Sequence, residues 1–163
     1  MVYVALGSNL GDSRGNVLRA LGLLQSLSGR PLRRSSLWET EPVDCPPGSP
    51  YFINAVAALV PRAGETPRSL LARLQALEKG MGRPPKKILN EPRVIDLDLI
   101  AFGSQTLAEP DLVLPHPRAC RRRFVLQPLG EIAPDFVLPG QDKPVAELLR
   151  GLKPGGILRR VPG

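Results

Sequence analysis

In Arg93-Val94-Ile95-Asp96-Leu97-Asp98-Leu99-Ile100, two carboxylates stand two residues apart in an otherwise apolar run. Alternate side chains of a β-strand share a face. Ile95, Leu97, Leu99 and Ala101 then form an apolar face, and Asp96 and Asp98 stand together on the other, flanked by Val94 and Ile100. Their Cα atoms would lie about 6.7 Å apart, twice the strand rise. Two like charges that close on a semi-apolar strand require a cation, and carboxylates with room for water suit Mg²⁺. Such a pair can bracket two ions roughly 4 Å apart, as in two-metal phosphoryl-transfer sites. The alternative is an edge strand that turns paired aspartates to solvent; the scarcity of Asp in strands counts against it.

Basic residues bracket this pair. Arg83, Lys86, Lys87 and Arg93 precede it, and Arg118, Arg121, Arg122 and Arg123 follow the single histidine, His116 of Leu114-Pro115-His116-Pro117. Guanidinium groups bind phosphate oxygens bidentately and do not deprotonate. Carboxylates suited to Mg²⁺ together with several arginines describe a polyphosphate site. A solvated basic face is the alternative, and three consecutive arginines cannot all face one site. The prolines on either side of His116 hold it in a restricted, extended turn.

Two further positions stand out. Leu6-Gly7-Ser8-Asn9-Leu10-Gly11 joins a strand to a helix but matches neither phosphate-binding glycine motif. It reads as a tight turn that needs glycine. Asn54 lies inside the apolar run Phe52-Ile53-Asn54-Ala55-Val56-Ala57-Ala58-Leu59-Val60. An unpaired amide there would cost roughly 1–3 kcal/mol. It could hydrogen-bond the edge of a heterocycle or satisfy a loop carbonyl.

The elements that must position these residues follow from periodicity. Val2 to Leu6 predicts a strand ended by Gly7. A helix follows from Asp12 to about Leu27, capped by Asp12 or Ser13, with Val17, Leu21 and Leu24 on one stripe. Leu32 to Thr40 predicts a second strand. Residues 41–50 hold four prolines and form a loop. Phe52 to Val60 predicts a third strand, and Thr66-Pro67 starts a helix whose buried stripe is Leu70, Leu74, Leu77 and Met81. A second proline-stiffened loop runs from Gly82 to Pro92, followed by a strand from Val94 to Phe102. The fold class is α+β: a ferredoxin-like β-α-β-β-α-β core with an antiparallel sheet. The C-terminal third is less regular and helical, with turns at 118–127 and 145–149. Residues 1–163 form a single catalytic domain, with 151–163 as a poorly ordered tail rich in Gly, Pro and Arg.

Composition narrows the function. At 163 residues the chain can bury a real core. Its net charge of +7 suits anionic partners, and its 4% aromatic content argues against a stacking platform for single-stranded nucleic acid. No apolar run approaches the roughly 20 residues of a membrane helix. Without a signal-peptide pattern the chain reads as cytoplasmic. Cys45 and Cys120 are too few for a disulfide framework.

Taken together the motifs resemble a known family. Val4-Ala5-Leu6-Gly7-Ser8-Asn9-Leu10-Gly11, Trp38-Glu39-Thr40-Glu41-Pro42, Phe52-Ile53-Asn54-Ala55, Pro92-Arg93-Val94-Ile95-Asp96-Leu97-Asp98-Leu99, Leu114-Pro115-His116-Pro117 and Arg122-Arg123-Phe124-Val125-Leu126-Gln127-Pro128-Leu129 occur in the order seen in 6-hydroxymethyl-7,8-dihydropterin pyrophosphokinases of folate synthesis. The resemblance covers residues 2 to about 138. It implies pyrophosphoryl transfer from ATP to the pterin hydroxymethyl group, releasing AMP, with two Mg²⁺ ions on Asp96 and Asp98. It implies catalytic roles for Arg83 and Arg93 and ATP-phosphate binding by His116 and Arg122, joined by Lys86. The backbone near Leu99 would meet adenine. Thr40, Val43 and Asn54 would bind the pterin, sandwiched between Phe52 and Phe124. The implied protein is a free-standing monomeric enzyme, with ATP and a small pterin as partners and no nucleic acid or membrane. ATP is expected to order residues 83–92 as a lid. Three departures stand out: Leu89-Asn90-Glu91 in place of Arg-Trp-Gly, Phe52 without a hydroxyl, and Asp111 in place of a basic residue. The runner-up readings are a ferredoxin-like RNA-binding module and a nucleotide-binding domain without chemistry. Pterin-dependent turnover of ATP to AMP separates all three.

Overall fold

The computed structural model describes residues 1–84 and 91–163. Strand β1 (Val2–Ser8) leads to helix α1 (Ser13–Gln25), then to β2 (Arg33–Arg34), β3 (Leu37–Thr40) and β4 (Phe52–Leu59). Helix α2 (Pro67–Gly80) and β5 (Asp96–Phe102) follow, then the hairpin β6 (Leu107–Glu109) and β7 (Leu112–Leu114). A 3₁₀ turn at Ala119–Arg121, α3 (Arg123–Ile132), α4 (Val145–Gly151) and β8 (Ile157–Val161) complete the chain. The main sheet has the order β5-β1-β4-β3-β8, with β2 beside β4, and its pairings are antiparallel.

Local chemistry sets the helix starts. The Asp12 carboxylate accepts the Gly15 N–H at 3.0 Å, closing the first turn of α1. Thr66 and Ser69 satisfy each other's backbone N–H groups ahead of α2, with Pro67 at the first helical position. Val17, Ala20, Leu21 and Leu24 of α1 and Leu70 and Leu74 of α2 pack on Val2, Val4, Leu6, Ile95, Leu97 and Leu99. Val125, Leu126, Leu129 and Ile132 of α3 and Val145 of α4 pack on the opposite face, against Tyr3, Val56, Ala58 and Ile100. The sheet is thus the middle layer between two helix pairs.

Five expectations change. The strand expected over Leu32 to Thr40 is two pieces, because Arg34 opposes Ala57 while Trp38 opposes Asn54. That register leaves one extra residue, a β-bulge at Ser35-Ser36, and the Ser35 hydroxyl accepts the Val56 N–H at 2.9 Å. A second bulge in β5, where Tyr3 opposes Ala101 but Val4 opposes Leu99, moves Ala101 off the Leu97/Leu99 face into the cluster with Ile100. Gly7 is not a turn residue but lies within β1, paired on both sides. The turns expected at 118–127 extend to Ile132 through Pro128, since burial of five side chains outweighs the lost backbone bond. The tail expected to be poorly ordered carries β8, which pairs with β3, with the Arg160 guanidinium 5.0 Å from the centre of the Trp38 ring.

Candidate active site

Trp38, Asn54, Gly7 and Asp96 form a row across β3, β4, β1 and β5, each opposite the next. Opposed residues of antiparallel strands project to the same side. Period two adds Thr40, Phe52, Ala5 and Asp98 to that face. It is the face on which α3 and α4 pack, covering its Tyr3–Val56–Ile100 part and, through Glu131 of α3, the Trp38 indole. The remainder floors a cleft of about 680 Å³, open solvent at its mouth included. Its walls bring together Thr40, Val43, Phe52 and Asn54 with Arg93, Asp96, Asp98, Arg122 and Phe124.

Gly7 lies at the centre of this floor for a steric reason. A Cβ there would stand 2.7 Å from Asn54 Oδ1 and 3.5 Å from the Phe52 ring. Asn54 Nδ2 donates to the Thr40 hydroxyl at 2.6 Å, in a fully buried pair. One of its two amide N–H groups is therefore used within the sheet, and its carbonyl oxygen is aimed over Gly7.

At the other end, Asp96 takes two arginines. Its Oδ1 accepts from Arg83 at 2.7 Å and its Oδ2 from Arg93 at 3.1 Å. The same Arg83 nitrogen donates to Glu78 Oε2 at 2.7 Å, and that oxygen also accepts the Leu97 N–H at 2.7 Å. Glu78 was missed from the sequence, although it continues the i, i+4 stripe of Leu70 and Leu74, where a carboxylate is out of place. Burial raises its pKa, opposed by the Leu97 N–H and the Arg83 charge. Asp98 is pushed up to about 7, first by burial and then by the charges of Asp96 and Glu78. Arg93 also lies over Phe52 and Arg122 over Phe124, 5.6 and 5.3 Å from the ring centres.

Of the consecutive arginines, Arg122 faces the cleft, whereas Arg123 donates to the carbonyls of Leu152 and Lys153 behind it. Arg118, one of the bracketing basic residues, also lines the cleft, together with Asp44 and Cys45 of the proline-rich loop, which the sequence did not single out. Arg83 acts on the cleft from behind Asp96, and its own hollow is formed with Pro84, Glu91, Pro92 and Arg93. The Leu99 side chain is in the core, on the outer strand β5. Lys86, and most of the expected lid at 83–92, lie outside the described residues. Asp111 pairs with Arg68 of α2 at 2.7 Å, a partner for the acidic departure.

His116 does not line the cleft. Its N–H donates to the Ile100 carbonyl at 2.8 Å, and its Nδ1 accepts the Arg118 N–H at 3.2 Å. Burial, with the charges of Arg122 and Arg118, lowers it to about 4. A folded-state pKa below the unfolded one stabilises the fold above about pH 6.5, and that stabilisation is lost as pH falls toward 4. Thermal melts should therefore show the wild type losing more stability between pH 7 and pH 4.5 than His116→Gln loses. Equal losses would mean that the histidine is not held neutral.

Comparison with known proteins shows the family of the chain. The model of the 7,8-dihydro-6-hydroxymethylpterin-pyrophosphokinase family matches residues 3–134. The chain belongs to this family. It is 40% identical over 163 residues to the 2-amino-4-hydroxy-6-hydroxymethyldihydropteridine pyrophosphokinase of Pseudomonas aeruginosa, covering 99% of this chain and 97% of that one. It is 36% identical to the enzyme of the same name from Synechocystis, covering 98% and 80%. Among solved structures, an HPPK-DHPS crystallised with substrates superposes with a TM-score of 0.74 at 14% identity, which speaks to the fold. That match covers 91% of this chain and 42% of the longer one. This pyrophosphokinase transfers a pyrophosphoryl group to hydroxymethyldihydropterin in folate biosynthesis, and its family uses ATP. The α+β fold, its largely antiparallel sheet and the four α-helices among the described residues match HPPK structures. Among the described residues no helix is long and apolar enough to cross a membrane.

Proposed function

We propose that the pyrophosphokinase reaction takes place over Asp96 and Asp98, with the pterin at the Gly7–Asn54 end of the cleft. One observation carries this reading: Arg83 and Arg93 converge on Asp96 beside a second carboxylate, Asp98, whose proton affinity is raised by burial and like charge. A carboxyl pKa that stays raised despite the charges of Arg122 and Arg83 marks a site short of positive charge. This fits Mg²⁺, which takes few protein carboxylates and keeps several waters. Asp96 and Asp98 would hold it, two ions on this reading. Once bound, the ions supply neutralisation and alignment of the phosphate chain.

The protein's own part is positioning and electrostatics, since phosphoryl-type transfer needs little covalent chemistry. Arg83 and Arg93 stabilise the charge that develops as AMP leaves. Arg122 and Lys86 bind ATP phosphates directly, and His116 borders that group as a neutral imidazole. The outer edge of β5 near Leu99 meets adenine. Asn54 Oδ1 accepts from a pterin N–H, Thr40 fixes the amide, Val43 closes the side, and Phe52 and Phe124 flank the ring. The antiparallel order β5-β1-β4-β3 supports a ferredoxin-like core. The same reading has the enzyme act as a cytoplasmic monomer on small molecules, not on nucleic acid.

The test of the whole reading is AMP formation from ATP that requires both pterin and Mg²⁺; AMP released without pterin would overturn it. Asn54→Ala should weaken pterin binding by about 1–3 kcal/mol, the cost of leaving a heterocycle group unpaired. Calorimetry with wild-type affinity for this variant would move the pterin elsewhere.

A further inference from the structure

Asn9 belongs to the glycine-flanked segment after β1, yet it is only 1% exposed. Its side chain spans two loops. Oδ1 accepts the Arg93 N–H at 2.9 Å, and Nδ2 donates to the Pro50 carbonyl at 3.3 Å. A third bond runs from the Asn9 N–H to the Arg93 carbonyl at 3.1 Å. One partner is a donor and the other an acceptor, so the amide has a single satisfying orientation. Aspartate would lose the donor and alanine both bonds.

The two tethered segments deliver two side chains that meet in the cleft. Arg93 donates to Asp96, and Pro50 lies two residues before Phe52, over whose ring the Arg93 guanidinium sits 5.6 Å away. Asn9 thus ties the backbone of the arginine to the chain that delivers the aromatic wall. Neither tether is part of the sheet ladder: Arg93 precedes β5 and Pro50 precedes β4.

We propose that Asn9 is a positioning residue for pyrophosphoryl transfer, holding Arg93 and the Phe52 wall in register with each other. This rests on the catalytic role given to Arg93. A small amide buried between two loops sets a distance, and a misplacement of about 1 Å can cost on the order of a hundred-fold in rate.

A double-mutant cycle on kcat tests it. Asn9→Ala should lower kcat by about 10- to 100-fold in the wild-type background and by less than about 3-fold in Arg93→Ala, because its route through the arginine is gone. The pterin KM should rise several-fold while the ATP KM stays within about two-fold, since the Pro50 tether serves only the aromatic wall. A merely structural role would reduce the active fraction equally in both backgrounds and leave both KM values alone. Full multiplicativity of the two substitutions overturns the proposal. If Arg93→Ala itself turns over like the wild type, it is the catalytic role of Arg93 that fails, and the proposal with it. Should Asn9→Ala not fold, Asn9→Ser, which keeps a polar group too short to reach both partners, enters the same cycle with the same criteria.

Discussion

Asp98→Asn is expected to reduce turnover by on the order of a thousand-fold, the scale of losing one preorganised electrostatic partner. At pH 8 the metal-free variant should nonetheless be more stable than the wild type. Both effects have one cause. Asp98 shares its surroundings with the carboxylates of Asp96 and Glu78, and burial with these charges raises its pKa to about 7. The folded state therefore holds the Asp98 proton more tightly than the unfolded chain does. Its ionisation opposes folding above about pH 7, and the penalty disappears as pH falls toward 4. In chelator, the melting-temperature advantage of Asp98→Asn should shrink steadily from pH 8 to pH 4. Added Mg²⁺ should stabilise the wild type more than the variant, by mass action on the folded state. Near-wild-type turnover of Asp98→Asn in Mg²⁺ would remove Asp98 from the metal assignment. A stability difference that ignores pH would mean that the group is not strained by charge.

Arg83→Ala carries the second large effect, and here activity and stability fall together. Arg83 pairs with Glu78 and Asp96 at 2.7 Å each, with side-chain exposures of 23%, 13% and 21%. Removing it leaves Glu78 with the Leu97 N–H as its remaining hydrogen bond among the described residues. Breaking a buried pair from one side costs about 3–5 kcal/mol, and partial exposure places this one near the lower end. Turnover should drop by about a hundred-fold or more as the charge opposite the leaving group is lost. A second substitution separates the effects. Glu78→Gln in the Arg83→Ala background keeps an acceptor for Leu97 but no orphaned charge, so stability should recover while turnover does not. Recovery of both would make Arg83 a scaffold residue alone. Loss of stability without loss of turnover would point the same way.

Much of the cleft was legible one residue at a time. Asp96 and Asp98 stand out because carboxylates are scarce in apolar strands, and period two places both on one side wherever the strand lies. Asn54 stands out as a lone amide in a hydrophobic run. Helix starts at Asp12 and Thr66 are local, because a capping side chain bonds to N–H groups two or three residues away. The β-α-β-β-α-β order follows from local periodicity in the same way.

What remained illegible depends on register and on packing between distant segments. Gly7 reads as a turn until β1 is seen to continue past it; its function as a floor exists only because Asn54 and Asp96 are opposite it. A one-residue bulge sends Ala101 to the other face, and no local pattern announces where a bulge falls. Glu78 is out of place on the stripe of Leu70 and Leu74, but its partners Arg83 and Leu97 are brought to it only by the fold. The tail becomes β8 because β3 offers it an edge, a partner about 120 residues earlier in the chain. Pro128 argues against a helix locally, and the buried face of α3 overrules it. Composition and periodicity determined the β-α-β-β-α-β elements and most of the reactive side chains, but not the β6–β7 hairpin or β8. Only the tertiary structure decided which of three consecutive arginines meets the cleft, because that choice depends on the angle at which α3 docks on the sheet.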